Sequence, residues 1–516
     1  MERVNQAERR AGLLLHPTSL PGPHGMGDLG REAYAWVDFL EAAGQRVWQV
    51  MPLGPTGYGD SPYQCFSAFA GNHFLIDLLA LSTADLLTAE ELAPLRALPR
   101  DRVDFGAFIP VKLELLGAAA RRFDATATAP QRAAVAEFEA KHAAWLPDHA
   151  LFMALKEENG GAAWTEWAPE LRDRDASALA RARERLAPAV AKHVLWQYWF
   201  YTQWGELRTY ANSRDIVILG DVPIFVALDS TDAWSHPEQY FLGPDGNPIV
   251  VAGVPPDYFS ATGQRWGNPL YRWDVMAQDG YAWWVARVRA ALELVDRVRV
   301  DHFRAFAGYW EIPAAEVTAV NGRWAPGPGQ ALFDALKAGL GDLPLVAEDL
   351  GVITPDVDAL RLANGLPGMK VLQFAFAGDA DDPYLPHNYE ANCVVYTGTH
   401  DNDTSAGWYE AASEAERDLV RRYLAKGDEN IAWELVRLAL ASVAATAIAP
   451  MQDALGLSSA ARMNTPGTAA GNWSWRFEWT DVPYWLAPQL RELAELYGRV
   501  PGGGGADTPY RQSVTD

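Results

Sequence analysis

Short apolar runs that end in polar or charged residues recur along this chain. Leu13-Leu14-Leu15 runs into His16, Val47 to Met51 precedes Pro52, and Ile216 to Leu219 runs into Gly220 and Asp221. Val298 to Asp301 interleaves valines with charges, and Leu345-Val346-Ala347 runs into Glu348 and Asp349. Val371 to Phe374 follows, then Cys393 to Tyr396 leading to Thr399-His400-Asp401. Last comes Ala447-Ile448-Ala449, leading to Met451-Gln452-Asp453. These runs predict eight strands. Continuous apolar strands are the mark of parallel strands buried on both faces.

Helical patterns lie between most of them, over Glu32 to Ala43, Ala282 to Leu294, Gly329 to Leu340 and Glu414 to Lys426. Strand and helix repeated eight times predict an α/β fold, a (β/α)8 TIM barrel, with functional residues at the C-terminal strand ends. The spacing is uneven. An Ala/Leu/Glu/Arg-rich stretch over 82–193, after the second strand, reads as a mostly helical insertion. The Gly, Pro and aromatic residues of 225–273, after the third strand, read as a long loop on the functional face. The expectation is one catalytic unit over 1–516, without a separate C-terminal β-sandwich domain. The glycine-rich tail, 501–516, reads as flexible.

Composition narrows the function. The net charge of −23 over 516 residues repels nucleic acid and anionic lipid, and no basic block reverses this locally. Two cysteines, Cys65 and Cys393, exclude a disulfide framework and show no zinc-binding spacing. The charged start has no signal-peptide core, and no apolar run reaches membrane-spanning length. The chain reads as soluble and cytoplasmic. Its 21 tryptophans suit either a Trp-rich core or a surface on which pyranose rings stack.

The charged strand carries the sharpest signal. Side chains alternate along a strand, so Arg299 and Asp301 share one side, the barrel mouth. Read from the residues alone, the pair fits a structural ion pair and a nucleophile kept ionised by its neighbour equally well. Glu348 ends the next strand beside apolar walls, where a carboxyl rises in pKa as a general acid requires; Asp349 reads as structural. His400, Asp401 and Asp403 could form a metal site, but no further cluster supplies the remaining ligands. A sugar site is the other reading, with Asp401 steadying positive charge and His400 donating a hydrogen bond. Carboxylates from strands four, five and seven meeting at one mouth fit glycoside chemistry.

The segments "RVRVDHFRAF", "LVAEDLG" and "GTHDND" resemble motifs of the α-amylase clan. More closely, the chain is similar to 4-α-glucanotransferases of the amylomaltase or disproportionating type, glycoside hydrolase family 77. Further matching segments are "LLLHPTSLPGPHGMGDLG", "WQVMPLGPTGYGDSPYQCFSAFAGN", "GDVPIFVALDS", "GVPPDYFSATGQRWGNPLY" and "RMNTPG". The resemblance implies Asp301 as nucleophile, Glu348 as acid/base and Asp401 as transition-state stabiliser. It implies that Arg299 orients Asp301, His400 binds the sugar at the cleavage point and Asp221 contacts substrate or supports the site. Tyr63 would stack near the sugar whose bond is cut, and Trp266 would cover the acceptor side. Asn464 is a further substrate-binding candidate, and Tyr58 resembles a remote glucan contact.

The implied activity is transfer of an α-1,4-glucan segment to the 4-hydroxyl of another glucan or of glucose. The route would be a retaining double displacement without cofactor or metal. The nearest alternative is a retaining α-glucan hydrolase with the same carboxylates. A non-catalytic glucan-binding barrel and an unrelated metal-dependent hydrolase are the more distant ones.

Overall fold

The computed structural model describes residues 8–256, 260–468 and 470–500. The predicted tail, 501–516, lies outside them. Eight parallel strands form the central sheet: β1 (Arg10–Leu14), β2 (Val47–Gln49), β3 (Val217–Pro223), β4 (Arg297–Asp301), β5 (Leu345–Ala347), β6 (Gly368–Val371), β7 (Cys393–Tyr396) and β8 (Thr446–Pro450). Their order is β6-β7-β8-β1-β2-β3-β4-β5. The remaining seam is bridged where the Ala347 N–H donates to the Pro367 carbonyl at 2.9 Å. This is a (β/α)8 barrel.

Alternation explains why the strands are apolar throughout. Leu14, Val47, Leu219, Val346, Met369, Val394, Tyr396 and Ile448 fill the barrel interior. Their neighbours Leu13, Trp48, Ile218, Leu345, Ala347, Val395 and Ala447 join the larger core between barrel and helices. On β4, Val298 and Val300 belong to that outer core, so Arg299 between them faces inward.

The sixth strand differs from expectation. It runs over Gly368–Val371, and Leu372–Phe374 is a 3₁₀ turn. Lys370 interrupts the apolar pattern but points away from the barrel interior, its ammonium 5.5 Å from the centre of the Tyr384 ring. Met369 and Val371 face inward on either side of it.

Helices occupy the segment between β2 and β3, among them Phe105–Thr126, Ala129–Lys141, Leu146–Glu158 and Ala187–Asn212. Asp104 caps the first by accepting from the Ala107 N–H. The last is continuous through position 193 and returns to the barrel, where the Trp204 indole donates to Leu294 O at 2.7 Å. The stretch predicted as a loop, 225–273, contains two strands, Val250–Val254 and Gln264–Pro269. They join Gly308–Pro313 and Arg323–Pro326 in a four-stranded antiparallel sheet. This sheet is not legible in the sequence because its pairing is non-local. The segment after β4 that completes it has little apolar alternation of its own.

Candidate active site

Each barrel strand delivers its polar residues to the same end. Asp221 lies on β3, Arg299 and Asp301 on β4; Glu348 follows β5 directly and His400–Asp401 follow β7. Parallel register makes this unavoidable. Asp221 stands opposite Arg299, and Val300 opposite Ala347, which places Glu348 beside Asp301.

Arg299 is buried and shared. One nitrogen donates to Asp221 at 2.5 Å and another reaches Asp301 Oδ1 at 2.9 Å. Its Nε lies 3.2 Å from the Met369 sulfur. Asp221 also accepts from the Tyr63 hydroxyl at 2.9 Å, and its side chain is 0% exposed. Tyr63, Asp221, Arg299 and Asp301 therefore form one chain of contacts leading from the barrel wall to the mouth.

The Asp301 carboxylate is 31% exposed, open to the mouth and walled by protein elsewhere. Burial pushes its pKa above the usual carboxylate range, Arg299 pulls it down, and the Asp221 and Asp401 charges push it up again. The expectation that Arg299 would lower it therefore holds for one contribution and fails for the net. Burial is the largest effect, and two further carboxylates share the site.

Glu348 is raised by burial and then by the Asp301 charge. The Arg299 charge opposes this, as do two backbone N–H groups, His302 donating to Oε2 at 2.7 Å and Leu350 to Oε1 at 2.9 Å. Arg299 touches Asp301 directly and acts on Glu348 only at longer range, so Asp301 loses its proton first. The site thus sets an order in which its two raised carboxyls ionise. Asp349 points elsewhere, accepting from the Met369 N–H at 2.6 Å and pairing with Arg361 at 3.2 Å, a structural anchor between β5 and β6.

Asp401 behaves oppositely. Burial would raise it, but the charge of His400, the His400 hydrogen bond and the Asn464 amide outweigh that and hold it at about 2. Asn464 Nδ2 donates to Asp401 Oδ1 at 2.5 Å. The His400 ring stacks on Tyr63, with centroids 5.0 Å apart. Trp266 meets His302 edge-on at 4.8 Å, which puts the long insertion over the residue next to Asp301. Residues 257–259 of that insertion lie outside the described residues. Tyr58 is 80% exposed on a short turn.

Three residues of the site were missed from sequence. His302 adopts φ +55° and its N–H donates to Glu348; a His directly after a charged strand end was the available signal. Arg462 donates to the carbonyls of Asp401 at 2.6 Å and Asn464 at 2.8 Å, stitching that segment onto the loop after β7. Trp473 packs on both Tyr63 and His400. It does so at φ +62°, a strained backbone for so large a side chain. Among the described residues, no group of three or more His, Cys, Asp or Glu side chains is placed to hold a metal ion.

A family model described as 4-alpha-glucanotransferase matches residues 15–481. The 4-alpha-glucanotransferase of Thermus thermophilus is 52% identical over 504 residues, covering 95% of this chain and 99% of the relative. That of Synechocystis is 49% identical, covering 95% and 98%. The amylomaltase of Streptococcus agalactiae, solved in complex with acarbose, superposes with a TM-score of 0.92 at 39% identity, covering 96% of this chain and 100% of that one. With Asp301, Glu348 and Asp401 gathered at the mouth of the matching barrel, the chain belongs to the 4-α-glucanotransferase family.

Proposed function

We propose that the chain disproportionates α-1,4-glucans by a retaining double displacement with Asp301 as nucleophile. In the first half-reaction the Glu348 O–H gives its proton to the glycosidic oxygen. The C1–O bond breaks, and an Asp301 oxygen forms a bond to C1. The released chain leaves with a free 4-hydroxyl. In the second, the 4-hydroxyl of another glucan or of glucose gives its proton to Glu348. Its oxygen attacks C1 and Asp301 departs. Two inversions at C1 return the α configuration.

Arg299 holds Asp301 towards the mouth. Asp401, anionic well below neutral pH, stabilises the positive charge that develops on the sugar ring. His400 and Tyr63 form the wall against which that ring sits. Asn464 holds Asp401, and Trp266 forms one side of the acceptor path. Tyr58 is a contact for a longer glucan. The observation that carries this reading is the pairing of Arg299 with Asp301 while Glu348 has only backbone donors.

Transfer requires an acceptor sugar to exclude water, which is present at about 55 M. The antiparallel sheet and the segment bearing Trp266 supply the aromatic surface for that. Barrel, helical insertion and sheet act as one catalytic unit. The cytoplasm is the compartment that fits its free cysteines and glucan substrate; no helix among the described residues is long and apolar enough to cross a membrane. The test is incubation with maltotriose. Disproportionation yields glucose together with chains longer than the substrate; a hydrolase yields only shorter products, and that outcome would reject transfer to sugar.

A further inference from the structure

The loop after β7 carries His400 and Asp401 between Thr397 and Ser405. Both ends of it are tied to one side chain that the mechanism above does not use. Asp453 is 1% exposed and sits on the helical turn Met451–Ala454, which begins where β8 ends. Its Oδ2 accepts from the Thr397 hydroxyl at 2.5 Å and the Ser405 hydroxyl at 2.7 Å. Its Oδ1 accepts from the Ser405 N–H at 2.6 Å. Among the described residues it has no ion pair. β7 and β8 are neighbours, with Tyr396 opposite Ile448, so the turn after one strand lies beside the loop after the other.

A buried carboxylate without a cation is a costly way to fill space. What it supplies is an acceptor on both oxygens, able to gather several donors at fixed angles. Here the donors flank the segment that presents Asp401. Neighbouring contacts reinforce the tie. Gln373 donates to the Asp403 carbonyl at 2.9 Å and Ser459 to the Asp403 carboxylate at 2.7 Å. A Cβ at Gly398 would lie 2.5 Å from the Gln373 amide nitrogen, so the loop is packed without slack. From the other side, Asn464 and Arg462 grip Asp401.

We propose that Asp453 is a positioning residue: it staples Thr397 and Ser405 to the end of β8, and thereby sets where Asp401 and His400 meet the reacting sugar. The proposal rests on the reading of Asp401 as the transition-state stabiliser. It also explains the buried Asp453 on the turn that follows the eighth strand.

The test compares Asp453→Ala, Asp453→Asn and Thr397→Val with the wild type and Asp401→Asn. Maltotriose is the donor, and active sites are counted by stoichiometric labelling with a slow fluorosugar donor. Asp453→Ala lowers kcat per labelled site by about 100-fold, the scale of a catalytic group displaced by about 1 Å, with KM little changed. Asn has the same outline and keeps an acceptor oxygen, while the two hydroxyls can turn to accept from its amide; it recovers about tenfold of the loss. Thr397→Val keeps the side-chain shape and loses one donor, lowering kcat about five- to tenfold. It keeps the proposal testable should the alanine variant fail to fold.

A carboxylate that only stabilises the fold would lower the melting temperature and the fraction of labelled sites while each site turned over normally. That result, or a loss confined to KM, overturns the proposal. An active Asp401→Asn variant would instead remove the reading beneath it. Wild-type turnover in the Asp453 and Thr397 variants beside an inactive Asp401→Asn would remove only the staple.

Discussion

The backbone N–H of His302 donates to Glu348 Oε2 at 2.7 Å, so the residue after the nucleophile orients the acid. β4 ends at Asp301, and the chain turns through the left-handed backbone of His302 into the 3₁₀ turn Phe303–Phe306. One local bend thus couples the positions of Asp301 and Glu348.

The acid must be protonated, so kcat/KM falls as pH rises through the pKa of Glu348, which burial and the Asp301 charge raise. It also falls at low pH as Asp301 protonates. Glu348→Gln removes the alkaline limb and lowers kcat on maltotriose about 10²–10⁴-fold. A glucosyl fluoride donor, whose leaving group needs no proton, restores the first half-reaction. An alkaline limb that survives the substitution would assign the acid elsewhere.

Asp221→Asn tests the buried pair. Asp221 raises Asp301, so neutralising it lowers the pKa of Asp301 and moves the acid limb of kcat/KM to lower pH. It also leaves Arg299 with a weaker partner, costing about 1–3 kcal/mol of stability, seen as a lower melting temperature. A limb that moves to higher pH contradicts this electrostatic ordering.

Asn464→Ala deprives Asp401 of its amide donor. With the loss of a charge-assisted bond, kcat falls about 10- to 100-fold, and the Asp401 carboxyl rises from about 2. Carboxyl titration by NMR and steady-state kinetics check the two halves. Wild-type kcat would place Asn464 outside the chemistry.

Trp266→Ala opens the acceptor path beside His302. The ratio of transfer to hydrolysis on maltotriose falls roughly tenfold, read by comparing glucose release with formation of longer chains. An unchanged ratio would mean that another element excludes water.

Much of this architecture was legible because the barrel is written locally. The apolar runs of β1–β5, β7 and β8 announce strands buried on both faces, and alternation alone put Arg299 and Asp301 on one side. β6 was misplaced because Lys370, turned outward towards Tyr384, looks like a strand breaker. What depends on distant pairing was not legible. The antiparallel sheet joins residues 250–269 to 308–326, and Asp453 meets Thr397 across 56 positions. The net direction of the Asp301 shift was also hidden, because it depends on how many carboxylates share the site and how deeply each is buried. His302 and Trp473 act through positive φ angles that no apolar pattern foretells.

In the proposed mechanism Asp301 forms the covalent bond to C1. A fluorinated glucosyl or maltosyl fluoride that reacts quickly in the first half-reaction and slowly in the second will trap that species. Digestion and mass spectrometry then locate the sugar. One glycosyl group per chain is expected, attached to the peptide containing Asp301, and none on an Asp301→Asn variant whose kcat has fallen by at least about 10⁴-fold. A label on Glu348 or Asp401, or turnover of an α-linked donor to a β-anomeric product with no trapped species, would contradict it.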